Sequence, residues 1–294
     1  MMLIAGTIPN KDLPLTIGKA VLDGDSLAVN GHRIPCTQGT AAMVSAALQT
    51  TEYLKIETPQ VLLVGDTGKG NGSRQMYEYL IENIPKLSTE VLALHYCQPD
   101  MALTRRLCEA IKGCTKRPLM IADAASMYAA KAAGLAPEFD IFTPDATEMA
   151  FLADREATHP AYIARHLFDT DVKQTPRLVA TAYQYKNAAK LLLVKGATDY
   201  IVRNGEILAT VSEPDVPMLE PIGGTGDTIT GMVAAFVSAD LEPHEAAIIA
   251  ARANRMAGKL AQATPATRVW QVIQQFPAVF KENLCQWSGV CINP

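Results

Sequence analysis

The sequence predicts a doubly wound α/β layer fold, and three observations carry that expectation. Apolar runs of strand length alternate with helical stretches along the chain. The strongest runs, such as Val61-Leu62-Leu63-Val64 and Pro118-Leu119-Met120-Ile121-Ala122, are continuous rather than alternating, as in parallel strands covered on both faces. Several runs end in a glycine loop or an acid, at the carboxyl ends of strands, where open α/β sheets place their ligands.

The bulk numbers allow such a fold and exclude others. The chain has 294 residues, of which 49% are apolar and 19% charged, enough to bury a sizeable core. No internal repeat and no linker divides it, so residues 1–294 are expected to form a single domain, with a C-terminal helix and tail over 264–294. Net charge is −4 with no long basic run, which argues against a nucleic-acid partner. No stretch reaches membrane-spanning length, and Met1 to Gly6 is too short for a signal segment. Cys36, Cys97, Cys108, Cys114, Cys285 and Cys291 form no C-x-x-C pair, so zinc is not expected. The reading is a cytoplasmic protein with no membrane partner and with reduced, inert thiols.

In order, residues 1–35 read as strand and turn, with a D-G hairpin signal at Asp23-Gly24. A helix of small residues follows over 37–48, with Thr37 or Thr40 as its cap. The strand at 61–64 runs into Gly65-Asp66-Thr67-Gly68-Lys69-Gly70, then a helix over roughly 74–84. Strands are expected at 91–96, 118–123 and 139–142, with helices at 101–112 and 126–134 between them. Asp123, at a strand end, faces a ligand or cation, or caps the next helix. Thr143-Pro144-Asp145-Ala146-Thr147-Glu148 is a sharp turn into a helix, and the spacing of Asp145 and Glu148 is that of a capping box. Residues 153–188 read as largely helical, and His159 and His166 are given no role. Strands at 190–194 and 199–202 flank a K-G-A turn, and Asn204-Gly205 signals a further hairpin. Helices at 229–238, 243–263 and 268–276 precede a cysteine-bearing tail.

Ile222-Gly223-Gly224-Thr225-Gly226-Asp227-Thr228-Ile229-Thr230-Gly231 carries the chemistry. N–H groups at a helix start lack partners and feel the positive end of the helix dipole, and glycine lets a phosphate approach the backbone. A carboxylate beside such a cradle is either a base working next to a phosphate or an N-cap. The local string leaves both open.

The order of these motifs resembles the ribokinase-like superfamily, and within it the branch that dehydrates hydrated NADH and NADPH. The resemblance rests on T-P-D-A-T-E at 143–148, K-G-A-T-D at 195–199 and G-G-T-G-D-T-I-T-G at 223–231, with T-x-G-x-A-A from Thr37 to Ala42 and a strand–glycine loop at 65–70. It covers about residues 28 to 262, and its last motif is the most specific. It implies a three-layer α/β/α fold with a mostly parallel central sheet. Asp227 is implied to be the general base facing the substrate hydroxyl. Lys195, Gly196, Ala197, Thr198 and Asp199 are implied to line the nucleotide, and Gly224, Thr225 and Gly226 to hold its phosphate. Ala41, Gly68, Asp123 and Asp145 are implied to lie on the substrate side, and Glu148 to help organise metal and phosphate. Asp145 stands where the family has its substrate-contacting histidine, and the G-N-x-G-M that leads into the family's last motif is absent. The cofactors so implied are ATP or ADP with Mg²⁺, the substrate a small molecule such as hydrated NAD(P)H, and the assembly a homo-oligomer. A small-molecule kinase of the same superfamily, acting on a vitamin precursor or sugar-like alcohol, is the alternative, and a nucleotide-binding protein without activity a third.

Overall fold

The computed structural model describes residues 1–158 and 174–292; His159 and His166 lie outside them. The chain opens with β1 (Met2–Ile8), buried along its whole length. A short strand β2 (Thr16–Lys19) leads to a small antiparallel sheet of β3 (Val21–Asp23), β4 (Ser26–Val29) and β5 (His32–Pro35), the first two joined by the D-G turn. Next come α1 (Gly39–Leu54), β6 (Gln60–Gly65), α2 (Asn71–Asn83), β7 (Val91–His95) and α3 (Met101–Lys112). Asp100 caps α3, its carboxylate accepting from the Leu103 N–H at 2.9 Å. β8 (Leu119–Asp123), α4 (Ala125–Ala132), the two-residue β9 (Ile141–Phe142), α5 (Ala146–Ala153) and α6 (Thr175–Gln184) continue the alternation. β10 (Leu191–Val194), β11 (Asp199–Arg203) and β12 (Glu206–Val211) form a meander. The chain then turns helical: α7 (Thr225–Ser238), α8 (Pro243–Leu260), α9 (Val269–Ile273) and α10 (Phe276–Ser288).

The main sheet has nine strands in the order β12-β11-β10-β9-β8-β7-β1-β6-β2. From β10 across to β6 every neighbouring pair is parallel, and the antiparallel pairs lie at the two edges. This is the mostly parallel α/β sheet that the sequence implies. Strand residues alternate between two separate cores. Ile4, Leu63, Ala93, Ile121 and Leu193 face a core shared with α1, α7, α8 and α10. Ala5, Leu62, Leu94, Ala122 and Leu192 face a second core shared with α2 to α6. Continuous apolar runs are thus required, because each strand is covered on both faces.

Helices α1 and α7 pack with their backbones nearly touching. A Cβ at Gly231 would lie 2.1 Å from the Met43 carbonyl oxygen and 3.2 Å from Ala47 N. The small residues of α1 therefore serve a helix–helix contact, and Gly231 completes it.

Four expectations need correction. No side chain caps α1: its N-cap is Gln38, and the Thr40 hydroxyl instead donates to the Thr7 carbonyl at 2.8 Å. Asp227 is not an N-cap, since Gly224 holds that position with φ of +98° and Asp227 lies inside the first turn of α7. Asp123 does not cap α4, whose N-cap is Ala124. The helix expected at 268–276 is instead two, α9 and α10; α10 buries Phe276, Val279, Phe280 and Leu284, and Cys285 is joined to Cys291 by a disulfide rather than reduced. Cys36, Cys97 and Cys108 are free and buried, as expected of inert thiols.

Candidate active site

The carboxyl ends of the parallel strands converge on the start of α7. There Asp227 is fixed by two groups distant in sequence. The Gly39 N–H, first in α1, donates to Oδ2 at 2.6 Å, and Nε2 of His95, last in β7, lies 3.0 Å from Oδ1. Asp227 keeps 15% of its side chain exposed, whereas His95 is fully buried. Burial alone would push the Asp227 carboxyl up. The His95 N–H and charge, the Lys195 ammonium and the Gly39 N–H outweigh that and hold it below its ordinary value of 3.8.

His95 pairs in register with Asp123 at the end of β8. Asp123 is buried, and its two oxygens each lie 3.0 Å from the Lys195 ammonium. The Thr230 hydroxyl donates to Asp123 Oδ2 and accepts from Thr143 at 2.9 Å. Lys195 follows β10 directly. Burial would depress its proton affinity, but Asp123 and then Glu148 and Asp227 outweigh that and raise it above the ordinary lysine value. Two carboxylates, a lysine and a histidine thus share one buried cluster drawn from β7, β8, β10 and α7.

The K-G-A-T-D turn is held from α8. The Arg255 guanidinium donates to Asp199 Oδ2 at 2.9 Å and to the Gly196 and Ala197 carbonyls at 2.8 and 3.0 Å. Asp199 also accepts from the Gly196 N–H at 3.0 Å. Gly196 and Ala197 remain exposed, Thr198 partly so, and the turn opens to solvent beside Lys195. The three residues at the start of α7 have different surroundings. A Cβ on Gly224 would lie 2.9 Å from Gln38 Cα and 3.2 Å from both Ala42 Cβ and Val269 Cγ2, so this glycine serves packing as well as its positive φ. The Thr225 hydroxyl is turned inward to the Leu219 and Ile222 carbonyls, each at 3.1 Å. Gly226 faces the Lys195 side chain, 3.6 Å from where its Cβ would be.

The remaining residues lie further from this cluster. Ala41 is buried within α1. Asp145 and Glu148 form the full capping box of α5, with Asp145 exposed and Glu148 buried. Glu148 Oε1 accepts from Tyr128 OH at 2.7 Å and Oε2 from the Asp145 N–H at 2.9 Å. Burial, reinforced by the charge of Asp123, pushes its carboxyl up to about 8. Gly68 belongs to a loop wrapped around Asp66, whose carboxylate accepts from the N–H groups of Gly68, Lys69, Gly70 and Ser73 at 3.0 Å. That loop lines a cavity of about 220 Å³ with Arg74 and Gln98, and none of the Asp227 cluster borders it.

The donor set does not suit a divalent cation. Ligand atoms of His95, Asp123 and Asp227 lie within 4.8 Å of one another, but both oxygens of Asp123 already face an ammonium. Both Glu148 oxygens are likewise engaged. Hard cations need several free oxygens around them, and these carboxylates do not offer them.

The model of the NAD(P)H-hydrate dehydratase family matches residues 104–274, which hold β8 to β10, the K-G-A turn and α7. The chain belongs to that family. The activity of that family is dehydration of hydrated NAD(P)H. Among its relatives, the uncharacterized protein MJ1337 of Methanocaldococcus jannaschii is 36% identical over 242 residues, covering 82% of this chain and all of that one. A ribokinase-like superfamily protein of Enterococcus faecalis superposes with a TM-score of 0.56 at 15% identity, covering 96% of this chain and 86% of that one. The ADP/ATP-dependent NAD(P)H-hydrate dehydratase of Bacillus subtilis superposes at 0.55 with 13% identity, covering 95% and 91%. The fold of this dehydratase-family chain is therefore ribokinase-like.

Sequence reasoning missed His95, Thr40, Thr230 and Arg255. One signal pointed to His95: it is a titratable residue ending an apolar strand on the same edge as Asp123. The other three lie inside helices, where the sequence pattern shows only a buried face.

Proposed function

We propose that this enzyme repairs hydrated NAD(P)H with Asp227 as its general base. The single observation behind that role is its placement: a carboxylate kept ionised in the first turn of α7, beside N–H groups and a lysine suited to phosphate. Asp227 accepts the proton of the substrate hydroxyl while the hydroxyl oxygen attacks the terminal phosphorus of ATP or ADP, and the bridging P–O bond breaks to release ADP or AMP. The phosphorylated carbon then releases inorganic phosphate, a neighbouring proton leaves, and the nicotinamide double bond returns. The nucleotide phosphates lie against the Gly226 and Asp227 N–H groups and the Lys195 ammonium, with the exposed Gly196-Ala197 turn beside them. An ATP/Mg²⁺ complex accompanies the Bacillus subtilis structure. In this chain a Mg²⁺ ion would ride on nucleotide and water oxygens rather than on Asp123 or Glu148.

The test is recovery of the nicotinamide absorbance from hydrated NADH with ATP or ADP and Mg²⁺. Asp227→Asn is expected to lower kcat by about 10²–10⁴-fold, the usual contribution of a positioned base, while nucleotide still raises the melting temperature. Unchanged turnover in that variant would remove the proposed base. Stable phosphorylation of an added alcohol, with no nicotinamide recovery, would favour a kinase.

A further inference from the structure

We infer that His95 is a positioning residue carried as an imidazolium, one that clamps the Asp227 carboxylate at the carboxyl edge of the sheet. This role rests on the reading of Asp227 as the base. The proton count follows from geometry. The Thr40 hydroxyl has one hydrogen, and it donates to the Thr7 carbonyl at 2.8 Å. What Thr40 presents to His95 Nδ1, at 3.0 Å, is therefore a lone pair, so Nδ1 carries a proton. On the other side of the ring, Nε2 faces, among the described residues, the carboxylate oxygens of Asp227 at 3.0 Å and Asp123 at 3.8 Å, so Nε2 carries one as well. Both ring nitrogens are donors, which only the cationic form allows.

The surroundings are built for this arrangement. A Cβ on Gly6 would lie 2.5 Å from Thr40 Cγ2 and 2.8 Å from the His95 carbonyl oxygen, so the glycine of β1 lets α1 bring its hydroxyl down to the ring. The Thr7 hydroxyl donates to the Tyr96 carbonyl at 2.7 Å and secures the turn after His95. The charged and titratable groups around the ring are Asp227 from α7, Asp123 from β8, Lys195 behind Asp123, and Tyr96, whose ring meets the imidazole edge-on at 4.6 Å. Cys97 Sγ lies 3.8 Å from the His95 carbonyl. Asp123 and Asp227 thereby balance Lys195 and His95.

Function follows from that balance. The imidazolium fixes one rotamer of Asp227 and keeps it ionised against burial. When Asp227 takes the substrate proton, the cluster is left with one positive charge in excess beside the transferring phosphoryl group, where negative charge is greatest. His95 touches neither substrate nor phosphate and acts only through Asp227.

Two measurements on the full chain test this. The first is ring ¹⁵N NMR of histidine-labelled protein, which has five histidines, with His95 assigned by its disappearance in His95→Gln. Both His95 nitrogens are expected to remain protonated from pH 6 to 8, and one proton to be lost over that range in Asp227→Asn. A single protonated nitrogen in the wild type at pH 7 would overturn the inference. The second is the pH profile of kcat. In His95→Gln, which keeps a neutral donor, the acid limb is expected to move up by about 1–3 units, the effect of losing an adjacent opposite charge, with KM for nucleotide unchanged. A folded His95→Gln with an unmoved limb would also overturn it. If His95→Gln does not fold, His95 is assigned as the ring whose signals change in Asp227→Asn, and its wild-type spectrum decides. Full activity in Asp227→Asn would instead remove the base, while the ring signals still judge the ion pair.

Discussion

Lys195 and Asp123 illustrate what a buried charge demands of its neighbours. Neither is placed where water could solvate it, with 11% and 2% of their side chains exposed, so each depends on the other. Lys195→Met is expected to destabilise the fold by about 3–5 kcal/mol, because Asp123 would stay buried without its ammonium partner. Lys195→Met with Asp123→Asn should recover most of the loss in a urea titration. Glu148 makes a different prediction. Its folded carboxyl lies at about 8, against an ordinary value of 4.5, so the native state binds the proton more tightly than the unfolded chain. Its contribution is complete below about pH 4.5 and is lost as pH rises through 8. Melting temperature followed across pH 5 to 8 should therefore fall more steeply in the wild type than in Glu148→Gln. These residues differ in how legible they were. The capping box of Asp145 and Glu148 is a local pattern and was readable. The partnership of His95, Thr40 and Asp227 is a matter of three-dimensional neighbours, and no spacing rule encodes it.

At the scale of elements, the contact of α1 with α7 sets how close the site's two helix starts can come. Gly231→Ala would drive a Cβ into the Met43 backbone carbonyl, which cannot rotate away. Forced overpacking of this kind costs about 1–3 kcal/mol, and displacement of α7 would also loosen the Gly39–Asp227 bond. Calorimetry and kcat together check this: stability and turnover should both fall, while nucleotide binding at the K-G-A turn falls less. Strands and helices with strong periodicity were legible, α3 among them, whereas its Asp100 cap emerges only from the structure. The C-terminal helices were harder. Their hydrophobic positions, Phe276, Val279, Phe280 and Leu284, recur at helical spacing, but a proline inside the first turn and two cysteines mask the pattern. Pro277 is tolerated there because the first N–H groups of a helix have no partner to lose.

Across the whole molecule, one sheet separates two cores, and the site lies at the edge where strand ends and helix starts meet. Nucleotide binding should stabilise the whole fold by about 2.7 kcal/mol at a hundredfold excess over Kd, read as a rise in melting temperature with ADP or ATP; an unmoved melting temperature at saturating nucleotide would contradict the assignment of Lys195 and the Gly196 turn. The fold class was legible because alternation and continuous apolar strands are global patterns, whereas the partners of Asp227 come from positions 188 and 132 residues away. Those separations bear on how the protein is made. A ribosome delivers Gly39, His95 and Asp123 long before Asp227, so the nascent chain displays a half-built site that lacks its proposed base. Reactive nucleotide and hydrated substrate meet a competent centre only after α7 has emerged and docked on α1. Onset of activity therefore waits for α7, and a prematurely terminated chain ending before α7 is expected to be silent rather than partly active.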